Sequence, residues 1–423
     1  MRIFWLTNVK PPVIYEKQVQ QNQINIGGWL DRISRGLLDC ENIELMVCYP
    51  YEKKEFGTFD NLSFQSLLYD ARAMRLGRLR DGDGISEAKT ILKTYAPDVI
   101  HIQGTEFQYH YYFAVAAKAL GYSDRVAVSI QGMVGVYAKH LALGLPASVV
   151  YACTVREIVG KKNVRAGISN FLRRGKYEKK TIEITKHILG RTTWDRACTH
   201  RINPDAVYHT CNETLREAFY SGNWSLQSCV KHRIFISQAS YPVKGFHLFL
   251  GALTDIKQFF PNVTVHVAGA DLTKGDRING SSYALYIRRL MKEKGLSENI
   301  HFCGNLNAEQ MKQEMLEANV FVSPSTIENS PNSVGEAMLL GVPVVSSNVG
   351  GVSDLLKDKE EGFLYQSDAP YMLAYYVMAL FRDNTLSVRI GQAAKKRASE
   401  THDYKKNLKD LLDIYEKIVD EIV

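Results

Sequence analysis

No stretch of the 423-residue chain approaches the ~20 consecutive apolar residues that a membrane-crossing helix needs. The start reads MRIFWLTNVKPP: its apolar run is only IFWL, and Lys10-Pro11-Pro12 breaks any continuation, so the layout of a secretory leader is missing. The expectation is a protein on the cytoplasmic side. The seven cysteines (40, 48, 153, 198, 211, 229 and 303) are odd in number, scattered, and include no CxxC, which favours reduced thiols over a disulfide frame. Cys198, His200, His209 and Cys211 lie near one another in sequence but lack the tight pairing of a structural zinc site. There is no GxxxxGK phosphate loop and no GxGxxG, which removes support for simple ATPases and dehydrogenases. RDGDGISE (80–87) lacks the third oxygen ligand and the downstream Glu of a calcium loop, and reads as a turn before a helix at Ser86–Tyr95. Internal repeats and low-complexity tracts are also absent.

What remains is a chain with 45% apolar residues, long enough for two or three domains. Short apolar runs alternate with helical patterns throughout, as in parallel sheets covered by helices. Strands are expected at Arg2–Val9, Ile43–Tyr49, Val99–Gln103, Val126–Gln131 and Ala206–Cys211. The second half repeats the scheme at Arg233–Ser237, Val263–Ala268, Ile300–Cys303, Val320–Ser323 and Val342–Ser346. Each is almost continuously apolar, as a strand covered on both faces must be. The Gly/Asn/Ser-rich SGNWSLQ (221–227) suggests the join between halves. Tyr404–Val423 spaces Leu408, Leu411, Leu412, Ile414 and Tyr415 along one helical face, able to return to the first domain.

The residues with chemical promise concentrate in STIENSPNSVGEAMLLGVPVVSSNVGG (325–351). Glu328 falls in a loop after a strand. Ser333 opens a helix, and Ser333 with Glu336 has capping-box spacing, so Glu336 alone could be only a capping partner. Both acids nevertheless lie at the carboxyl edge of a parallel sheet, where open α/β folds bind ligands. Free N–H groups at Ser330–Ser333 suit a phosphate, and Gly350-Gly351 precede a second such helix start. Two phosphate seats flanked by two carboxylates suit a ligand with a diphosphate and several hydroxyls. Lys244, after a strand and before a helix, offers the opposing charge. In the first half, Gly27-Gly28 would let backbone approach a phosphate, or simply start a helix.

This combination resembles the retaining glycosyltransferases of the GT-B fold, specifically the large family 4 that uses nucleotide-sugar donors. The strongest element is E-x7-E (Glu328, seven residues, Glu336) followed by EAMLLGVPVVSSNVGG, similar to the family's EAMACGTPVV…GG run. KGFHLFLGAL (244–253), VHVAGAD (265–271), HFCGNL (301–306), PDVIHIQG (97–104) and EGFLY (361–365) stand in the family's order. The resemblance implies an α/β architecture of two Rossmann-like doubly wound domains facing a cleft. Residues 1–222 would bind the acceptor and 223–400 the nucleotide sugar, while 401–423 would pack back on the first domain. It further implies that Glu328 holds sugar hydroxyls, Glu336 the ribose, and Lys244 the leaving diphosphate. Asn332, Ser333, Gly350 and Gly351 would line the phosphate path. Gly304, Asn305 and Leu306 would approach the base, and Gly27-Gly28 would face the diphosphate. Two positions depart from the family: Ala239 stands where an arginine is common, and Gln131 where a histidine is, leaving Gln131 as a candidate sugar or acceptor contact that cannot titrate near neutrality.

Charge is uneven. Between Lys161 and Arg191 ten basic residues stand against Glu178 and Glu183, a local +8 in a chain of +7. Val164, Ile168, Phe171, Leu172, Tyr177, Ile182, Ile188 and Leu189 interleave them, a mix that suits an anionic membrane surface or a lipid-linked pyrophosphate. No recognition module for nucleic acid accompanies the charge. The function implied is retaining, metal-independent transfer of a hexosyl unit from a nucleotide diphosphate sugar, a substrate rather than a cofactor, to a glycan or lipid-linked saccharide. The setting would be surface polysaccharide synthesis at the inner face of the cell membrane. A nucleotide-sugar epimerase of the same fold and a non-catalytic sugar-binding partner are the alternatives.

Overall fold

The computed structural model describes residues 1–19, 27–68, 70, 80–160 and 162–422. Among them, contacts gather the chain into two compact units. One comprises 1–135, 172–215 and 402–423, the other 136–171 and 216–401. This departs from a linear division at 222, because 136–171 cluster with the second unit. SGNWSLQ is also less of a linker than its composition suggests. Trp224 is buried there, its indole N–H donating to the Ala318 carbonyl at 2.7 Å, so an aromatic anchor outweighs the turn-forming residues around it.

The first unit is built on eight strands: β1 (Arg2–Leu6), β2 (Glu44–Tyr51), β3 (Phe56–Phe59), β4 (Leu62–Leu68), β5 (Val99–Gln103), β6 (Val126–Ser129), β7 (His187–Gly190) and β8 (Val207–Thr210). Their order is β3-β4-β2-β1-β5-β6-β7-β8, parallel except for the β3–β4 pair. The sequence pattern misses three of them. β3 and β4 alternate apolar with polar residues in a short hairpin, and β7 (HILG) hides inside the basic run although all four residues are buried. The helix Tyr404–Asp420 packs here, as its spacing suggests. Leu411, Ile414, Tyr415 and Ile418 are buried with Trp5 and Leu30, and a Cβ at Gly36 would strike the Tyr404 ring.

The second unit has six parallel strands: β9 (Arg233–Ile236), β10 (Thr264–Ala268), β11 (Ile300–Gly304), β12 (Val320–Ser323), β13 (Val344–Ser347) and β14 (Phe363–Tyr365). Their order is β11-β10-β9-β12-β13-β14. Both sheets have the doubly wound plan. The chain leaves a central strand in one direction and later resumes on its other side, at β1/β5 in the first sheet and β9/β12 in the second. Such switch points open a crevice at the carboxyl ends of the strands. Among the described residues no helix is long and apolar enough to cross a membrane.

Candidate active site

Lys244 follows β9 and Glu328 follows β12, so the two meet at the switch point of the second sheet. After β9 the chain makes a single turn at Pro242–Lys244 and enters the helix Phe246–Phe259 through Gly245, whose φ is +67°. A Cβ on Gly245 would lie 1.7 Å from the Pro324 carbonyl oxygen, so only glycine lets this turn touch the loop after β12. The Thr326 N–H donates to the Val243 carbonyl at 2.8 Å and fixes the same contact. The Lys244 ammonium then stands 2.6 Å from Glu328 Oε1, which also accepts from the Ser325 hydroxyl at 2.9 Å. Glu328 is largely buried and Lys244 only about a third exposed, so the pair is less screened than a surface ion pair. The loop after β13 joins them. Gly350 has φ +55°, a Cβ there would come within 1.8 Å of the Glu328 carbonyl oxygen, and the Gly351 N–H donates to that oxygen at 3.1 Å.

The helix carrying Glu336 runs Asn332–Leu340 and begins with Pro331 in the capping position, without a side-chain cap. Ser333 is therefore already inside the helix, and the capping-box expectation is overturned. Proline, with its φ preset and no N–H, starts the helix early. Glu336, one turn in and 2% exposed, instead receives a two-pronged pair from Arg216, Nε to Oε1 at 2.6 Å and an Nη to Oε2 at 2.7 Å. Asn332 and Ser333 form the half-exposed first turn. Gly304, Asn305 and Leu306 leave the edge strand β11, separated from β9 by β10. Gly304 has φ +74° with open space around it, and Asn305 is exposed. Ala239 is buried in the core of this unit, while the neighbouring Gln238 Oε1 accepts from the N–H groups of Ala239 and Ser240, both at 2.9 Å.

In the first unit, Gly27 has φ +82° and heads the helix Gly28–Leu38. A Cβ there would press on Val9 at 3.0 Å, so a helix start explains this glycine without a ligand. Gln131 lines a small cavity at the carboxyl ends of β5 and β6 with Gln103, His101, Trp29, Arg191 and Glu213. Arg191 is buried against Glu213 as an ion pair and reaches the Gln131 side-chain oxygen at 3.4 Å. At the cavity floor, His101 Nδ1 meets the Tyr415 hydroxyl at 2.5 Å and Nε2 meets Ser129 Oγ at 2.6 Å. Burial lowers this imidazole to about 3, so it is neutral.

The basic segment is not one face. Lys161 lies outside the described residues. Arg191 is inside the cavity, Lys186 pairs with Asp124 and Glu421, and Arg174 donates to the Glu106 carbonyl while lying over Phe107. Val164, Ile182, Ile188 and Leu189 are core residues. Glu178 is buried too, accepting from the N–H groups of Val134 and Gly135 at 2.8 and 2.9 Å, and burial raises its carboxyl to about 7. The Cys198–Cys211 group gathers no metal set among the described residues. His209 faces His187 at 3.1 Å, and burial pushes the Cys198 and Cys211 thiols up to about 11 and about 12.

Residues 230–397, which hold Lys244, Glu328, Glu336 and both glycine turns, match the family model described as "Glycosyl transferases group 1". The matched stretch lies wholly within the second unit. Among curated relatives, a phosphatidyl-myo-inositol mannosyltransferase of Mycobacterium leprae is 28% identical over 186 residues, 44% of this chain and 46% of that protein. The chain thus spans about half the length of the curated relatives it matches. Several solved structures match over almost the whole chain. A sucrose-phosphate synthase from Thermosynechococcus elongatus aligns with a TM-score of 0.69 at 14% identity, covering 99% of both chains. HepE of Anabaena, in complex with UDP and glucose, aligns at 0.68 and 16% identity, covering 98% of this chain and 99% of its own. At such identities the likeness concerns fold, and the fold is GT-B.

The second unit also contains site residues that sequence reasoning misses. Arg216 lies 120 positions before Glu336, outside the matched segment, and Ser325 looks like any loop serine. A buried glutamate requires a compensating cation, which is the one signal that could have prompted a search for an arginine.

Proposed function

We propose that the chain is a retaining glycosyltransferase that moves a hexosyl unit from a nucleotide diphosphate sugar to a glycan or lipid-linked saccharide. The observation that carries this reading is the Lys244–Glu328 pair, held by three interlocked loops at a sheet switch point, with Glu336 one helix further on. A lysine at this edge neutralises a departing diphosphate. The open first turn at Asn332 and Ser333 and the loop at Gly350-Gly351 accept its oxygens, and Glu328 accepts from sugar hydroxyls. Arg216 pairs with both Glu336 oxygens, which orients the carboxylate for a ribose hydroxyl. As the glycosidic bond to the diphosphate breaks, charge develops on the leaving phosphate. That phosphate can take the acceptor proton, so retention needs no protein base. Neither a metal nor a separate cofactor is required.

Gln131, Arg191 and Glu213 would meet the acceptor. Where the acceptor is lipid-linked, the second unit offers a membrane-facing patch at the short helix Val155–Gly160. Val155, Ile158 and Val159 are more than half exposed there, beside exposed Arg156, Lys162 and Arg165. Hydrogen bonds from the Val155 and Arg156 N–H groups to Arg277 and Ile278 hold this helix in place. Such a surface suits the inner face of an anionic membrane, the setting of surface polysaccharide synthesis.

The test is a thermal-shift screen of nucleotide sugars, starting with UDP-glucose because HepE was solved with UDP and glucose. A ligand at 100 times its Kd should stabilise the protein by ~2.7 kcal/mol. Turnover of the donor so identified should be unchanged when magnesium or manganese is added to metal-stripped protein, and Lys244→Ala should abolish it. Manganese-dependent turnover, or an altered sugar formed without any acceptor, would overturn the reading.

A further inference from the structure

His266, Cys303 and Glu314 place one imidazole nitrogen, one sulfur and one carboxylate oxygen all within 4.8 Å of one another. His266 is on β10, Cys303 on β11, and Glu314 on the helix Ala308–Glu317 beyond it. Strand register explains the convergence. His266 pairs with His301, so both point to the same face, and their ring centroids are 5.1 Å apart. A break in register between Val267 and Ala268 leaves Cys303 as the extra residue on β11. Cys303 is two residues beyond His301, so strand alternation puts its thiol on the same face. The opposite face is ordinary core, where Phe302 packs against Phe246.

We infer that His266, Cys303 and Glu314 form a zinc-type metal site distinct from the Lys244–Glu328 pair, with His301 or water as fourth ligand. Nitrogen, sulfur and carboxylate oxygen in a four-coordinate set is the chemistry of zinc, and not of magnesium or calcium, which take oxygen ligands alone. The thiolate and carboxylate together balance a dication. His266 Nδ1 and Glu314 Oε2 share a hydrogen bond of 2.8 Å, which holds two of the three ligands in place. Binding through Nδ1 would leave the His266 ring hydrogen on Nε2 and release the thiol proton. The ion would join the edge strand β11 to the helix after it, closing the loop at Gly304–Leu306 between two of its ligands. Arg233, paired with Glu317, lies outside the ligand set.

The experiment uses metal-stripped full-length protein and cobalt(II) as an optical probe. One equivalent should produce tetrahedral d–d bands together with a thiolate-to-cobalt charge-transfer band, and zinc should displace it. Cys303→Ser should remove the charge-transfer band, and Glu314→Gln should weaken binding at least tenfold, with melting temperatures confirming that both fold. As a check on unmodified protein, zinc should slow alkylation of Cys303, read by peptide mass spectrometry, more than that of exposed Cys153. Absence of the charge-transfer band in wild type, its persistence in Cys303→Ser, or zinc-indifferent alkylation of Cys303 would overturn the site. Donor binding is measured separately, so failure here leaves the transferase reading standing.

Discussion

Arg216 and Glu336 form a largely buried, doubly hydrogen-bonded pair, and its energetics stem from that environment. Removing one partner strands a charge in a poorly solvated site, a loss of roughly 3–5 kcal/mol. Glu336→Gln should therefore destabilise the second unit by about 3 kcal/mol, even though glutamine would serve equally well in a capping box. Arg216→Gln should do the same, and the double variant should recover at least ~1 kcal/mol relative to additive losses. Denaturant titrations of the four proteins measure the coupling directly, and strictly additive losses would contradict the pairing. Glu336 stands out in the sequence, but its partner does not, because the pair joins segments 120 positions apart.

The helix Val155–Gly160 illustrates what a single element adds. Its sequence, VREIVG, is too short to reveal a pattern, yet Ile158 and Val159 project into solvent at 64% and 77% exposure. Burying each in lipid would contribute ~1.5–3 kcal/mol, and each nearby Arg or Lys ~1 kcal/mol, the latter fading within a Debye length of ~8 Å at physiological salt. Vesicles containing anionic lipid should bind the protein and release it partially as salt rises. Ile158→Ser with Val159→Ser should cut binding at least tenfold while leaving soluble-donor binding unchanged. Unchanged vesicle binding would mean that the patch is ordinary exposed surface. The basic run contributes less than its charge suggests, since Arg191 is buried beside Glu213 and Lys186 is paired with Asp124 and Glu421.

At the scale of the whole first unit, buried histidines govern the response to acid. Burial lowers His101 and His110 to about 3 and His209 to about 4. The folded state keeps them neutral, so as pH falls below ~6.5 the unfolded chain binds protons that the fold cannot. Each should lower stability by about 2 kcal/mol at pH 5. Glu178 acts in the opposite sense. Its carboxyl is raised to about 7, so its contribution is present at acid pH and is lost as pH rises through 7, offsetting about one histidine. The net sign is destabilisation on acidification. Hydrogen exchange of β1, β5 and β6 amides, corrected for intrinsic rates, should be less protected at pH 5 than at pH 7. Equal protection would show that these imidazoles gain protons in the folded state.

Most strand identities, the doubly wound plan, the returning helix and the segment holding Lys244, Glu328 and Glu336 were all readable in the linear chain. Each rests on local information, namely continuous apolar runs, helical periodicity and residue spacing. The cysteine pattern likewise argued against disulfides, and the described cysteines are all free. Other features depended on register and on distant segments meeting. The pairing of Arg216 with Glu336, the burial of Arg191 beside Glu213 and the placement of 136–171 in the second unit are of this kind. So is the convergence of His266, Cys303 and Glu314 on one sheet face. A sequence records which side chains alternate along a strand, whereas which strands lie side by side, and which buried charge finds which partner, is decided only when the tertiary fold closes.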